Sequence, residues 1–197
     1  FAHGDVHERI HALSQQMESN GPTAEEYLER AGLYRLHEDF NHALVDLEQA
    51  AVMNPDLPGL DRIRGTLLYE AGRFQQALAV LDRFLRDHPD DADDLLTRAR
   101  VHAQLGQGAA ARTDYDRAIA HLDPPSPDCF LERADCLLTI SSGSVDEALQ
   151  GLDEGIRILG PIPALQDRAI ELECSRRGYA AALKRLQTLL RQSPASP

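Results

Sequence analysis

Tryptophan is absent, and phenylalanine and tyrosine together make up only 5% of the 197 residues. No apolar run approaches the length of about 18 residues that a membrane-crossing helix needs, so membrane insertion is not expected. Basic residues are outnumbered, 20 Lys and Arg against 32 Asp and Glu, for a net charge of −12. That balance argues against a nucleic-acid partner, whose phosphates would be repelled, and against an anionic membrane surface. Lysine itself is almost missing. Lys184 is the single example beside nineteen arginines. Catalytic signatures are also lacking: there is no Gly-rich phosphate cradle, no H-E-x-x-H, and no serine on a strand-to-helix elbow. Neither an enzyme nor a resident cofactor is therefore expected.

What the chain does hold is 43% apolar residues, rich in Ala and Leu, and a strong internal period. Pro55 and Pro89 lie 34 residues apart, each closing a helical stretch, and a further step of 34 reaches Asp123 and the prolines that follow it. Between these marks one pattern returns five times. YLERAGLYRLHEDFNHALVDLEQAAVMNP is followed by DRIRGTLLYEAGRFQQALAVLDRFLRDHP, then by three further copies beginning at Leu95, Phe130 and Leu165. A small residue recurs in each first helix at Ala31, Gly65, Ala99, Ala134 and Ala169. Another recurs early in each second helix at Ala43, Ala77, Ala111, Ala148 and Ala182. A large one follows four later at Leu47, Leu81, Tyr115, Leu152 and Leu186. Small residues let antiparallel helices approach, and the large ones fill the gap to the next pair.

In period and residue types together the chain resembles the tetratricopeptide-repeat family over nearly its whole length. The resemblance implies an all-α fold: a right-handed α-α superhelix of about five helix-turn-helix repeats, at 24–57, 58–91, 92–125, 127–162 and 163–194, in a single domain. Residues 5–20 place Val6, Ile10, Leu13 and Met17 at helical spacing and are expected to form a half-repeat helix covering the first repeat, with Asp5 as N-cap and Glu8 completing a capping box. The fourth copy carries about two extra residues in its turn, within ISSGS.

The resemblance also implies a role in holding another protein or peptide along a concave groove formed by the first helices. Carried over position by position, that groove would present Arg35, Arg62, Thr66, Tyr69, Arg100, Gln104 and Asp135. The arginines would serve as carboxylate or carbonyl clamps, and Tyr69 as an amphipathic anchor. The two-Lys, two-Asn clamp by which one subfamily binds chaperone tails is missing, the matching places reading Leu28, Gly32, Ile63, Asp93 and Thr97.

Five arginines, Arg30, Arg64, Arg98, Arg133 and Arg168, each precede the small crossing residue. Half-buried arginine demands a partner, and acids on the second helices, Asp46, Asp82, Asp114 and Asp153, are the expected ones. His3, His7 and His11 are four apart, a spacing open to metal binding; a metal-responsive helper is the alternative function. Cys129 and Cys136 stand about 10 Å apart along one helix, too far to bridge. Cys136 and Cys174 fall on neighbouring first helices and could meet; small buried apolar roles are expected for all three. The opening Phe-Ala-His fits the end of a secretory signal, so a bacterial, exported or periplasmic protein is expected. Leu183, Leu186, Leu189 and Leu190 make one side of the last helix very apolar, so that end either packs inward or docks a partner or a second copy.

Overall fold

A computed structural model describes the backbone of residues 2–140 and 145–192 and the side chains of residues 5–140 and 145–190. Among these residues there are eleven α-helices and no strand. The chain divides into two compact units, Phe1–Pro89 and Asp90–Pro197. The first holds α1 (Ala2–Asn20), α2 (Ala24–Leu36), α3 (Phe40–Met53), α4 (Leu60–Glu70) and α5 (Phe74–Asp87). The second holds α6 (Ala92–Gln104), α7 (Gly108–His121), α8 (Pro127–Ile140), α9 (Val145–Leu159), α10 (Pro163–Ser175) and α11 (Tyr179–Gln192). Consecutive helices pack as antiparallel pairs, α2 with α3, α4 with α5, α6 with α7, α8 with α9 and α10 with α11. Each pair is one copy of the sequence repeat, so both units are helical-repeat stacks. The extra turn residues of the fourth copy, 141–144, lie outside the described residues.

The expected leading helix is present, and Ile10, Leu13 and Met17 bury its apolar stripe against Tyr27, Leu33 and Tyr34 of α2. Its start differs from expectation. The helix begins at Ala2, which puts Asp5 inside the first turn and not at the cap. There the carboxylate still favours the positive helix end. The capping box of this region belongs to α2: Thr23 Oγ1 accepts from the Glu26 amide at 3.1 Å, and the Glu26 carboxylate accepts from the Thr23 amide at 2.9 Å. Those bonds satisfy two amides that a helix start otherwise leaves without partners.

The turn inside each described repeat is closed by a residue with positive φ at the same register: Glu38 (59°), Gly72 (70°), Gly106 (70°) and Arg177 (64°). The next amide reaches back over the turn, Arg73 to the Leu68 carbonyl at 2.8 Å and Asp39 to the Tyr34 carbonyl at 2.9 Å. Glycine adopts this conformation freely, whereas a side chain there costs about 1 kcal/mol. Two repeats follow the rule and two tolerate the strain.

Close approach at the small residues is direct. Ala43, Ala77, Ala99, Ala111, Ala148 and Ala169 have no exposed surface. A Cβ added at Gly65 would lie 2.7 Å from the Leu81 side chain, and one added at Gly155 would lie 2.7 Å from the Phe130 ring. The large residues four positions on fill the remaining space, with Leu47, Leu81 and Leu152 fully buried and Tyr115 nearly so.

The arginine ladder is structural: Arg30 and Arg98 take the expected Asp46 and Asp114, and the others follow a different rule. Each ladder arginine faces a forward socket, and within a unit a backward one as well. The forward socket lies on the second helix of its own repeat, at Asp46, Val80, Asp114 and Gly151 in turn. The backward socket lies on the preceding second helix, at Ser14, Glu48 and Asp116. Arg30 fills both, with Nε and Nη2 each 2.7 Å from Asp46 and Nη1 3.0 Å from the Ser14 hydroxyl. Arg98 binds Asp114 through the same two-pronged geometry. Arg64 meets Val80 in front, so it reaches Glu48 at 3.3 Å and Asp61 at 3.6 Å, and its buried Nε has no partner. Arg133 has Gly151 in front. Its Nη2 lies 2.9 Å from where a Cβ would stand there, so the glycine admits the guanidinium. Arg133 then binds Asp116, Glu154 and the Gly151 carbonyl, not Asp153.

The last repeat inverts the device. Arg185 occupies the forward socket and takes Asp153 for itself, at 2.6 and 2.9 Å. Arg168 faces a like charge and turns outward to Asp135 and Glu171.

Two stability outcomes follow from these contacts. Glu38→Gly relieves the turn and raises unfolding free energy by about 1 kcal/mol in urea denaturation; a loss of stability would contradict the strain. Val80→Asp gives Arg64 its missing forward acid and is expected to stabilise by about 1 kcal/mol, while Asp114→Ala removes the two-pronged bond to Arg98 and costs about 3 kcal/mol. Destabilisation by both changes would contradict the socket rule.

Candidate functional site

The positions expected to face a partner lie on the first helices of both units. In the first unit they sit on α2 and α4. Arg35 is already committed: its Nε and Nη2 donate to the two Glu70 oxygens at 2.7 and 2.8 Å. The Glu70 carboxylate holds the Arg35 guanidinium above its usual range. Arg62 and Thr66 stand one turn apart on α4, and the Thr66 hydroxyl donates to the Arg62 carbonyl at 3.1 Å. The Arg62 guanidinium lies 5.9 Å from the centre of the Phe84 ring, within reach of a cation–π attraction. Tyr69 is half-buried, its ring tilted against Phe74 at 6.0 Å between centres.

In the second unit the positions sit on α6 and α8. Arg100 Nε donates to Glu132 at 2.8 Å, and Gln104 stands exposed one turn further along α6. Burial, with the Glu132 charge and hydrogen bond beside it, pushes the Tyr115 phenol far above its usual range. Asp135 accepts from Arg168 Nε at 3.0 Å and Nη2 at 2.6 Å. Three of the seven positions thus join consecutive first helices: Arg35 ties α2 to α4, Arg100 ties α6 to α8, and Asp135 ties α8 to α10. The sequence did not show that these charges already hold carboxylates or guanidinium groups of the chain.

The histidine spacing leads elsewhere. The side chain of His3 lies outside the described residues. His7 and His11 are exposed, and the His7 ring lies 5.4 Å from the ring of His37. Among the described residues no group of three His, Cys, Asp or Glu is placed to hold a metal ion. The expected burial of all three cysteines holds for two. Cys129 and Cys136 are buried, whereas Cys174 is exposed, on the α10 side away from the core, and all three are free. Cys136 donates to the Gly108 carbonyl at 3.3 Å, and burial pushes its thiol up.

A cleft of about 480 Å³ in the first unit was not foreseen. It opens between the ends of α3 and α5 and the loop before α4, with Arg64, Arg83, Phe84 and His88 among its walls. Arg83 crosses it to Asp61 at 2.6 Å, and the His88 ring stacks on Phe84 at 4.3 Å. Apart from Pro55 and Arg64, its walls lie outside the repeat positions singled out in the sequence.

Antiparallel helix pairs of 34-residue period, crossing at small residues and tied first helix to first helix, define a helical-repeat stack whose ordered surface is the joint product of several repeats. Its type is fixed by comparison with known proteins. The sequence pattern of the tetratricopeptide repeat matches residues 64–127 and 96–158. The mouse tetratricopeptide repeat protein 16 is 26% identical over 129 residues, which cover 59% of this chain and 17% of that relative. The chain therefore spans about a sixth of the length of that curated relative. Among solved structures, PilW, a widely conserved type IV pilus biogenesis factor, superposes with a TM-score of 0.75 at 20% identity, covering 98% of this chain and 88% of that one. YrrB, a TPR protein with an unusual peptide-binding site, superposes with a TM-score of 0.65 at 18% identity, covering 93% of each chain. Residues 64–158 thus carry tetratricopeptide repeats, and the fold of the chain is that of the helical-repeat proteins it superposes on.

The ties between first helices have a measurable strength. Arg100 and Glu132 are each about one-third exposed. Glu132→Ala is therefore expected to cost about 1 kcal/mol of stability, with part of the loss screened away in 1 M salt. A cost that does not change with salt would mean that Glu132 acts through packing and not through charge.

Proposed function

We propose that the protein is a non-catalytic adaptor that holds a peptide or segment of another protein on its first-helix faces. The observation that carries this reading is the set of ties on those faces. Arg35–Glu70 in the first unit, with Arg100–Glu132 and Asp135–Arg168 in the second, fix the spacing of consecutive first helices before any partner arrives. Binding to such a surface costs little reorganisation. Arg62, Thr66 and Tyr69 present a cation, a hydroxyl and an amphipathic ring on one unit. Arg100, Gln104 and Asp135 present a mixed polar set on the other. That combination suits the carbonyls and side chains of an extended chain segment better than a small apolar ligand. YrrB, similar in fold, is described by a peptide-binding site, which supports the same class of partner. Among the described residues no helix is long and apolar enough to cross a membrane.

The test compares wild type with Arg62→Glu/Arg100→Glu in a pull-down from lysate of the source organism, each checked for unchanged helical content by circular dichroism. A protein captured by wild type and lost from the variant, then confirmed as a direct binder with purified components, is the expected outcome. Equal capture by both proteins would move the interaction off the first helices and overturn the reading.

A further inference from the structure

The second repeat leaves a guanidinium underbound. Asp46 and Asp114 hold Arg30 and Arg98 by pairs of bonds of 2.7 Å. At that register the second repeat has Val80. Arg64 keeps its nearest carboxylate oxygens at 3.3 and 3.6 Å, and its buried Nε has no partner. A guanidinium carries five N–H donors and stays charged, so this one retains capacity for a further acid. It also lines the cleft of about 480 Å³ in the first unit.

A second guanidinium enters the same space. Arg83 reaches it from α5, half-exposed, and a single bond of 2.6 Å joins it to Asp61. The Asp61 oxygen that Arg83 holds is also the one 3.6 Å from Arg64. One carboxylate oxygen thus stands between two guanidinium groups, and donors of both are left over. A planar acceptor with two oxygens suits that arrangement.

The remaining walls narrow the choice. Leu57, Leu60 and Phe84 are apolar, and the His88 ring stacks on Phe84. Arg64, Arg83 and Asp61 together leave one positive charge, which a single carboxylate balances. A phosphate dianion would exceed it and would also meet Asp56 and Asp87, both exposed among the walls. We infer that this cleft binds a monocarboxylate carried on an apolar group. Its two oxygens lie on Arg64 and Arg83, and its apolar part lies against Leu57, Leu60 and Phe84. The ligand carboxylate does for Arg64 what Asp46 does for Arg30. A free organic acid and the C-terminal residue of another chain both offer this chemistry. The walls share no residue with the first-helix positions of the proposed adaptor role, so either inference can fail alone.

The isotope-labelled full chain is titrated at neutral pH and constant ionic strength, and NMR follows the backbone amides and the arginine Nε–H signals. The probes are hexanoate, N-acetylglycyl-leucine, the C-terminal amide of that dipeptide, and acetate. Hexanoate or the free-acid dipeptide is expected to saturate with a Kd under about 5 mM, moving the signals of Arg64, Arg83 and Phe84. Acetate lacks the apolar part and the amide lacks the charge, so each should bind at least about tenfold more weakly. The acid that binds more tightly names the source, hexanoate a free acid and the dipeptide a chain end. Arg83→Gln, at a half-exposed side chain, should weaken binding about fivefold. Val80→Asp lies outside the walls and gives Arg64 an acid of its own. It should weaken binding about tenfold while the fold gains stability, which separates loss of binding from unfolding. Helical content of both variants is checked by circular dichroism. No saturation by either acid at about 20 mM, equal binding of the dipeptide and its amide, or unchanged binding by both variants would overturn the inference. Acetate binding as tightly as hexanoate would also overturn it, because only a general attraction of anions would then remain.

Discussion

The structure depends on how closely two helices can approach when neither has a side chain at the crossing. At Ala31, Gly65, Ala99, Ala134 and Ala169 the first helix of each repeat is stripped to a methyl group or less, and the second helix answers with Ala43, Ala77, Ala111, Ala148 and Ala182. Most of these residues have no exposed surface at all. Everything else is arranged around that contact. In the first four repeats the large residue four positions on fills the wedge that opens beside it, and the ladder arginine one position before the small residue lies against the crossing. A larger residue at any crossing would force the pair apart and pull the arginine from its sockets.

The ladder shows how a repeat protein tolerates drift in one position by using another. Asp46 and Asp114 give their arginines a planar, two-bonded partner. Where that acid is lost, two remedies occur. Gly151 removes the obstruction, so that Arg133 reaches a backbone carbonyl and Glu154. In the last repeat Arg185 reverses the polarity and binds the acid that Arg168 would otherwise meet. Arg64 has neither remedy and holds its acids at 3.3 and 3.6 Å. Guanidinium groups taken out of water are costly without partners, which is why four of the five ladder positions carry a local solution.

Fold and register were legible because they rest on residue types at fixed spacing. Small residues at 34-residue intervals, apolar stripes and turn prolines are local signals that each helix carries by itself. The ladder's pairing was only half legible. Asp46 and Asp114 could be matched by equivalence, but the backward partners Ser14, Glu48 and Asp116 belong to the preceding repeat and emerge only when helices are stacked. The first-helix ties, Arg35 to Glu70 and Arg100 to Glu132, were hidden for the same reason: each joins residues 35 and 32 apart across two repeats. The start of α1 was misplaced because Asp5 and Glu8 make a good cap signal, which the helix overrides by starting at Ala2. Cys174 looked like Cys136 in sequence, yet in α10 the inward face is taken by Gln166, Leu172 and Glu173, which turns the cysteine outward.

Arg133 has a consequence for how the chain comes apart. Its guanidinium, 8% exposed, holds Asp116 on α7 and Glu154 on α9 together. Breaking open the fourth repeat therefore removes a contact from the third at the same moment. In a linear array, where stability is the sum of each repeat's own term and a term for each junction, such a residue belongs to the junction. Junction residues of this kind set the length over which melting is cooperative. Around α7, α8 and α9 that length exceeds a single repeat, so this stretch is suited to transmit tension from one pair to the next instead of fraying pair by pair.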